Sequence, residues 1–78
     1  MITLYELTDN SIGTIEKVVT NNHLKGRLAE LGFMPGMDVR MIKKSPFNGP
    51  VQIKINNYYL SLRKEDALLI HLTSNNQK

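Results

Sequence analysis

Arg27-Leu28-Ala29-Glu30-Leu31-Gly32-Phe33-Met34-Pro35-Gly36 is the stretch whose reading decides the fold. It reads as the last turns of a short amphipathic helix, a glycine stop and a Pro-Gly turn. Gly32 supplies the left-handed residue that ends a helix, and Pro35-Gly36 suits a type II turn. Two large apolar residues, Phe33 and Met34, are held between those marks. Burying a phenylalanine is worth roughly 1.5–3 kcal/mol, a large share for a small domain. Phe33 is therefore expected to plug the core, and Met34, an adaptable side chain, to face outward.

Working outward, Leu24, Leu28 and Leu31 recur at i, i+4 and i+7 and predict one core-facing helical stripe, with Asn22 as N-cap. Gly26 inside this helix costs about 1 kcal/mol relative to alanine, unless it serves close packing. Before the helix, Ile12 to Thr20 carries the β-branched Ile15, Val18 and Val19 and favours a strand. Its imperfect alternation predicts a bulge near Lys17 or Val18. Earlier still, Thr3 and Glu6 fit a capping box on one helical turn through Leu4 and Leu7.

After the Pro-Gly turn come strands over Met37 to Lys44, Val51 to Ile55 and Tyr58 to Leu62. Val51, Ile53 and Ile55 point inward by simple alternation. Asn56-Asn57 makes a type I′ hairpin turn, and Asn48-Gly49 a turn in the longer Ser45 to Pro50 connection. A turn over Lys64 to Ala67 leads to a last strand, Leu68 to Leu72. The expectation is a mainly β fold: a small SH3-like barrel of about five strands, with one short helix between the first and second strands. Residues 1–73 form the domain and 74–78 a polar, disordered tail.

The chain has 78 residues, no cysteine and 41% hydrophobic residues. Disulfides and thiolate metal sites are excluded, and the core leaves no room for a deep catalytic cavity. The formal charge of +3 is spread along the sequence, with only Arg40, Lys43 and Lys44 close together. That excess serves solubility first and an acidic partner or membrane surface second. The amino terminus lacks an export signal. No apolar run approaches the roughly 18 residues of a membrane span. A cytoplasmic protein without membrane insertion is expected.

The serines are not placed as activated nucleophiles, so no catalytic residue is assigned. His23 and His71 lack paired-ligand spacing, so no metal site or cofactor is assigned either. A weak ferrous site joining His71 to Glu65 or Asp66 would be the alternative. Tyr59 beside Lys54 and Arg63 is the nearest approach to a nucleic-acid surface, but an outward tyrosine on a strand is the preferred reading and no nucleic-acid partner is expected. Arg63 reads foremost as a brace for Glu65 or Asp66, with a partner carboxylate as its second use.

Several pieces, in order, resemble the FeoA family, ferrous iron transport protein A. They are Leu4-x-x-Leu7, Arg27 to Phe33, Pro35-Gly36 with Val39, Ser45-Pro46 with Pro50-Val51, and Leu60-x-Leu62-Arg63 with Ala67. Two positions depart from the family pattern. Asn57 stands where many relatives have glycine, and Phe47-Asn48-Gly49 where they often have Leu-Gly-Asp. The resemblance implies an SH3-like barrel, no enzyme activity, and a role in iron uptake through contact with the cytosolic G-protein region of the FeoB transporter. Such contact would recruit the protein to the inner face of the plasma membrane. The candidate contact residues are Leu31, Met34, Pro35 and Met37 at the helix end and turn, together with Arg63. The family also resembles the C-terminal domain of iron-dependent transcriptional regulators, which makes a metal-sensing or nucleic-acid-binding barrel the alternative. An unpaired strand edge would permit weak self-association.

Overall fold

A computed structural model of the chain describes residues 2–73. In chain order they form β1 (Ile2–Thr3), a 3-10 turn (Leu4–Glu6), β2 (Ile12–Val18), α1 (Asn22–Glu30), β3 (Asp38–Lys44), β4 (Val51–Ile55), β5 (Tyr58–Leu62), α2 (Lys64–Ala67) and β6 (Ile70–Leu72). All strand pairs are antiparallel, and the ladder runs β1-β6-β2-β3-β4-β5. Among the described residues no helix is long and apolar enough to cross a membrane.

β2 is the corner of the fold. Ile12, Gly13 and Thr14 pair with β3, while Ile15, Lys17 and Val18 pair with β6. The register shifts between Ile15 and Lys17, close to the expected bulge, and a bulge bends a strand and sharpens its twist. One strand thereby serves two sheets, and their inner faces meet over Leu4, Ile15, Phe33, Met41, Ile53, Ile55, Ile70 and Leu72, each essentially inaccessible to solvent.

The mainly β architecture with one short helix is as expected, but the closed five-stranded barrel is not what forms. There are six strands among the described residues, and the ladder has two ends, β1 and β5. The extra strand is Ile2–Thr3, paired with His71 and Leu72 just before the 3-10 turn. It moves the helix to a place between the second and third strands. The flank of β5 meets the end of α1 instead of another strand, with the Tyr58 hydroxyl donating to the Leu31 carbonyl.

Local readings mostly hold. Glu6 Oε1 accepts the Thr3 amide at 2.9 Å, as a capping carboxylate should. β4 and β5 have the expected bounds, and Asn56 and Asn57 both take positive φ in the hairpin turn. The last strand begins at Ile70 rather than Leu68, because the amides of Leu68 and Leu69 complete the α2 turn by bonding Lys64 and Asp66 carbonyls.

Three details differ. The N-cap of α1 is Asn21, whose Oδ1 accepts the Leu24 amide at 2.8 Å, not Asn22. Of the leucine stripe only Leu28 is buried; Leu24 is half-buried and Leu31 is 43% exposed. Gly26 serves no close contact, since a Cβ there would meet nothing within 4 Å.

The quoted decapeptide explains the displaced leucine. Gly32 takes φ +111°, its amide bonds the Ala29 carbonyl, and the Phe33 amide bonds Leu28 at 3.0 Å. This is a Schellman motif, which brings the residue after the left-handed position back over the last helical turn. Phe33, not Leu31, therefore completes the buried face beside Leu28. Gly36 then takes φ +93° and the Met37 amide bonds Met34 at 3.1 Å, closing the type II turn. The Gly36 amide also bonds Ile15 at 2.8 Å, stitching the turn to the corner strand. Phe33 is 1% exposed and Met34 is 44% exposed.

Two substitutions check this account by denaturation. Phe33→Ala is expected to remove about 3–5 kcal/mol; a loss below about 1 kcal/mol would show that the ring is no plug. Gly26→Ala is expected to add roughly 0.5–1 kcal/mol, because the site is helical, exposed and open.

Candidate functional site

A groove of about 380 Å³ lies where α1 runs beside the edge strand β5. Leu24 and Leu31 line it from the helix side and Leu60 from β5, the exposed or half-buried leucines of those elements. Arg27 from α1 and Arg63 and Asp66 from the α2 end supply its charges. β5 pairs only with β4, so its groove-side edge has no strand partner among the described residues.

Each wall is positioned by the chain geometry already given. The Schellman turn stops α1 before Leu31 can rotate into the core. The Tyr58 hydroxyl holds the Leu31 carbonyl, which fixes the distance between helix end and hairpin. A Cβ on Gly32 would meet Asn56 Nδ2 at 2.5 Å, so the hairpin turn sits directly against the helix stop. Arg63 takes extended backbone at the N-cap of α2 and is exposed. It makes no ion pair with Glu65 or Asp66, and the expected brace is absent.

Of the residues anticipated as contacts, Leu31 and Arg63 are brought together here. Met34 and Pro35 are exposed on the adjoining turn but do not line the groove. Met37 is half-buried and packs against the core, so it offers less surface than anticipated. Leu24, Arg27, Leu60 and Asp66 were not anticipated. The alternation of β5 could have indicated Leu60, since an edge strand beside a nine-residue helix cannot bury both faces.

Chemically, an apolar floor, an open strand edge and two guanidinium groups suit a peptide segment. Apolar side chains would fill the floor, main-chain groups would extend the sheet, and a carboxylate could be held bidentately by arginine. A second depression, of about 210 Å³, lies over Ile12, Arg40, Lys54 and Asn57. Its polar groups are already committed in part: Asp38 accepts Thr14 Oγ1 at 2.7 Å, and Arg40 donates to the Asn10 carbonyl at 2.9 Å.

The other candidates resolve into structure. Tyr59 is 66% exposed and receives the Lys54 ammonium over its ring at 5.6 Å, a cross-strand pair. His23 is exposed on α1, and His71 lies half-buried in β6 opposite Lys17 and Thr3. Among the described residues no three histidine, cysteine or carboxylate side chains gather as a metal site.

Residues 2–74 match the model of the FeoA domain. Over 69 residues the chain is 32% identical to the Fe(2+) transport protein A/Fe(2+) transporter FeoB fusion protein of Porphyromonas gingivalis, covering 88% of this chain and 8% of that one. The chain thus spans under a tenth of that curated relative. The crystal structure of Stenotrophomonas maltophilia FeoA complexed with zinc, described as an SH3 domain protein, superposes with a TM-score of 0.81 at 29% identity, covering 95% and 92% of the two chains. A manganese-dependent transcriptional repressor superposes at 0.81 with 19% identity over 94% of this chain and 41% of its own, a likeness of fold alone.

Tyr58→Phe isolates the strut of the groove. It is expected to cost about 1 kcal/mol and to speed amide exchange at the end of α1, leaving β2 and β6 unchanged. Equal protection in both proteins would show that the hydroxyl does not hold the helix end.

Proposed function

Because the chain belongs to the FeoA domain family, we propose that it is a non-enzymatic accessory protein of ferrous iron uptake that docks on the cytosolic GTP-binding region of a FeoB-type transporter and modulates transport or assembly. The carrying observation is the groove between α1 and β5, which offers apolar anchor sites, an unpaired strand edge and two arginines at one place. The fused relative supports the pairing, since it joins the two components in one polypeptide. The shared SH3-like architecture supports a small interaction barrel completed at its open edge by a partner. The protein works at the cytoplasmic face of the membrane, where that region is exposed. Leu31, Leu60 and Arg63 form the contact, with Met34 and Pro35 at its border.

The experiment is a titration of the full chain with the isolated G-protein region, in GDP and GTP-analogue forms. Leu31→Asp is expected to weaken binding by about tenfold or more, about 1.4 kcal/mol or above, with the melting temperature of the chain unchanged. Met34→Ala is expected to weaken it less. No binding at high micromolar concentration in either nucleotide state would overturn the docking. Ferrous iron binding by the isolated chain, or retention by nucleic acid with steep salt dependence, would favour a sensor barrel instead.

A further inference from the structure

Among the described residues Phe47 is the most exposed large apolar side chain. It is 97% exposed, whereas the next most exposed aromatic, Tyr59, is 66% exposed and carries a lysine over its ring. Phe47 also sits at φ +60° and Asn48 at +61°. Gly49 donates to the Pro46 carbonyl at 3.1 Å and Ser45 to the Pro50 carbonyl at 3.0 Å, so these two residues form the tip of the β3–β4 loop. Positive φ is a genuine outlier for a bulky residue. Asparagine or glycine would suit this tip better, and the ring gains no burial in return.

The surroundings are basic and fixed. Lys64 donates to Asn48 Oδ1 at 3.1 Å, tying the tip to α2. The ammonium groups of Lys44 and Lys64 each lie 5.2 Å from the centre of the Tyr5 ring. Lys43, the preceding residue of β3, pairs with exposed Gln52 and projects from the opposite face of the strand. Among the described residues neither Lys44 nor Lys64 has a carboxylate within ion-pair distance. Nearby acids are partly engaged elsewhere: Glu6 accepts the Thr3 amide, and Asp66 faces the α1–β5 groove. Glu65 stays exposed beside Lys64.

We propose that this tip is a lipid-contact site: Phe47 enters the headgroup–acyl boundary of an anionic bilayer while Lys44 and Lys64 lie at the phosphates. A protein-binding hot spot needs a rim of further contacts to exclude water. This tip is a narrow turn bracketed by exposed Pro46 and Pro50, with no such rim. A bilayer needs only an aromatic wedge and basic flanks, and it closes around the wedge itself. The contact is peripheral and weak, suited to orienting the domain on a membrane rather than anchoring it.

The test is flotation of the full chain with vesicles of phosphatidylcholine and phosphatidylglycerol in equal parts, at low salt. Wild type is expected to float with these vesicles and not with phosphatidylcholine alone. Phe47→Asn is expected to lower partitioning about tenfold while raising the melting temperature, because asparagine tolerates the left-handed backbone. Lys44→Gln is expected to lower partitioning roughly fivefold. Failure of wild type to float, equal flotation of Phe47→Asn, or indifference to lipid charge would each overturn the proposal. So would a lower melting temperature for Phe47→Asn, or loss of binding to the lipid-free G-protein region in that variant. The groove variant Leu31→Asp is expected to float normally, which separates this contact from the groove.

Discussion

The left-handed backbone at Gly32 is the constraint on which the working surface depends. A side chain there would be strained by φ +111° and would also strike Asn56. With glycine, the chain reverses within one residue, and the Leu28 carbonyl can accept the Phe33 amide. That reversal sends Phe33 into the core, leaves Leu31 outside, and delivers the Pro35-Gly36 turn to the corner strand β2. Core and surface are assigned by the same turn.

The same segment accounts for the way the sheet ends. A small β-domain must manage its edges, and this one leaves β1 and β5 unjoined. The end of α1 stands against β5, held by the Tyr58 hydroxyl. A helix beside an edge shields it from indiscriminate pairing while leaving a slot between them. The slot is lined by leucines from both sides and by two arginines, which favours a chosen segment over any strand. Phe47 lies on the β3–β4 loop, whose tip is tied by Asn48 to Lys64 of α2, the helix that also carries Asp66 to the groove.

Much of this was legible in the residues because it is local. β4 announces itself by alternation, the 56–57 hairpin by two asparagines that accept positive φ, and the helix stop by glycine. The loop tip was also legible, though it was read one residue late. A turn centred on Asn48-Gly49 would need an amide from Pro50, which has none, so the left-handed pair moves back to Phe47-Asn48. The Asn21 cap differs from the expected Asn22 by the same small margin, and two adjacent asparagines give no local reason to choose between them.

By itself, then, the sequence determined the punctuation: which residues turn, which alternate, and that Phe33 is buried while Met34 is not. These follow from backbone sterics and the large burial energy of one ring. Only the tertiary structure decided that Ile2–Thr3 forms a sixth strand, that the sheet stays open at β5, and that Leu24, Leu31, Leu60 and Arg63 share one groove. Strand pairing and groove walls join residues far apart in the chain, and no local preference states which edges will meet. The helical stripe shows the difference most plainly. Its spacing promised three buried leucines, and the fold buried one of them, because Phe33 returned through the glycine turn to complete that face.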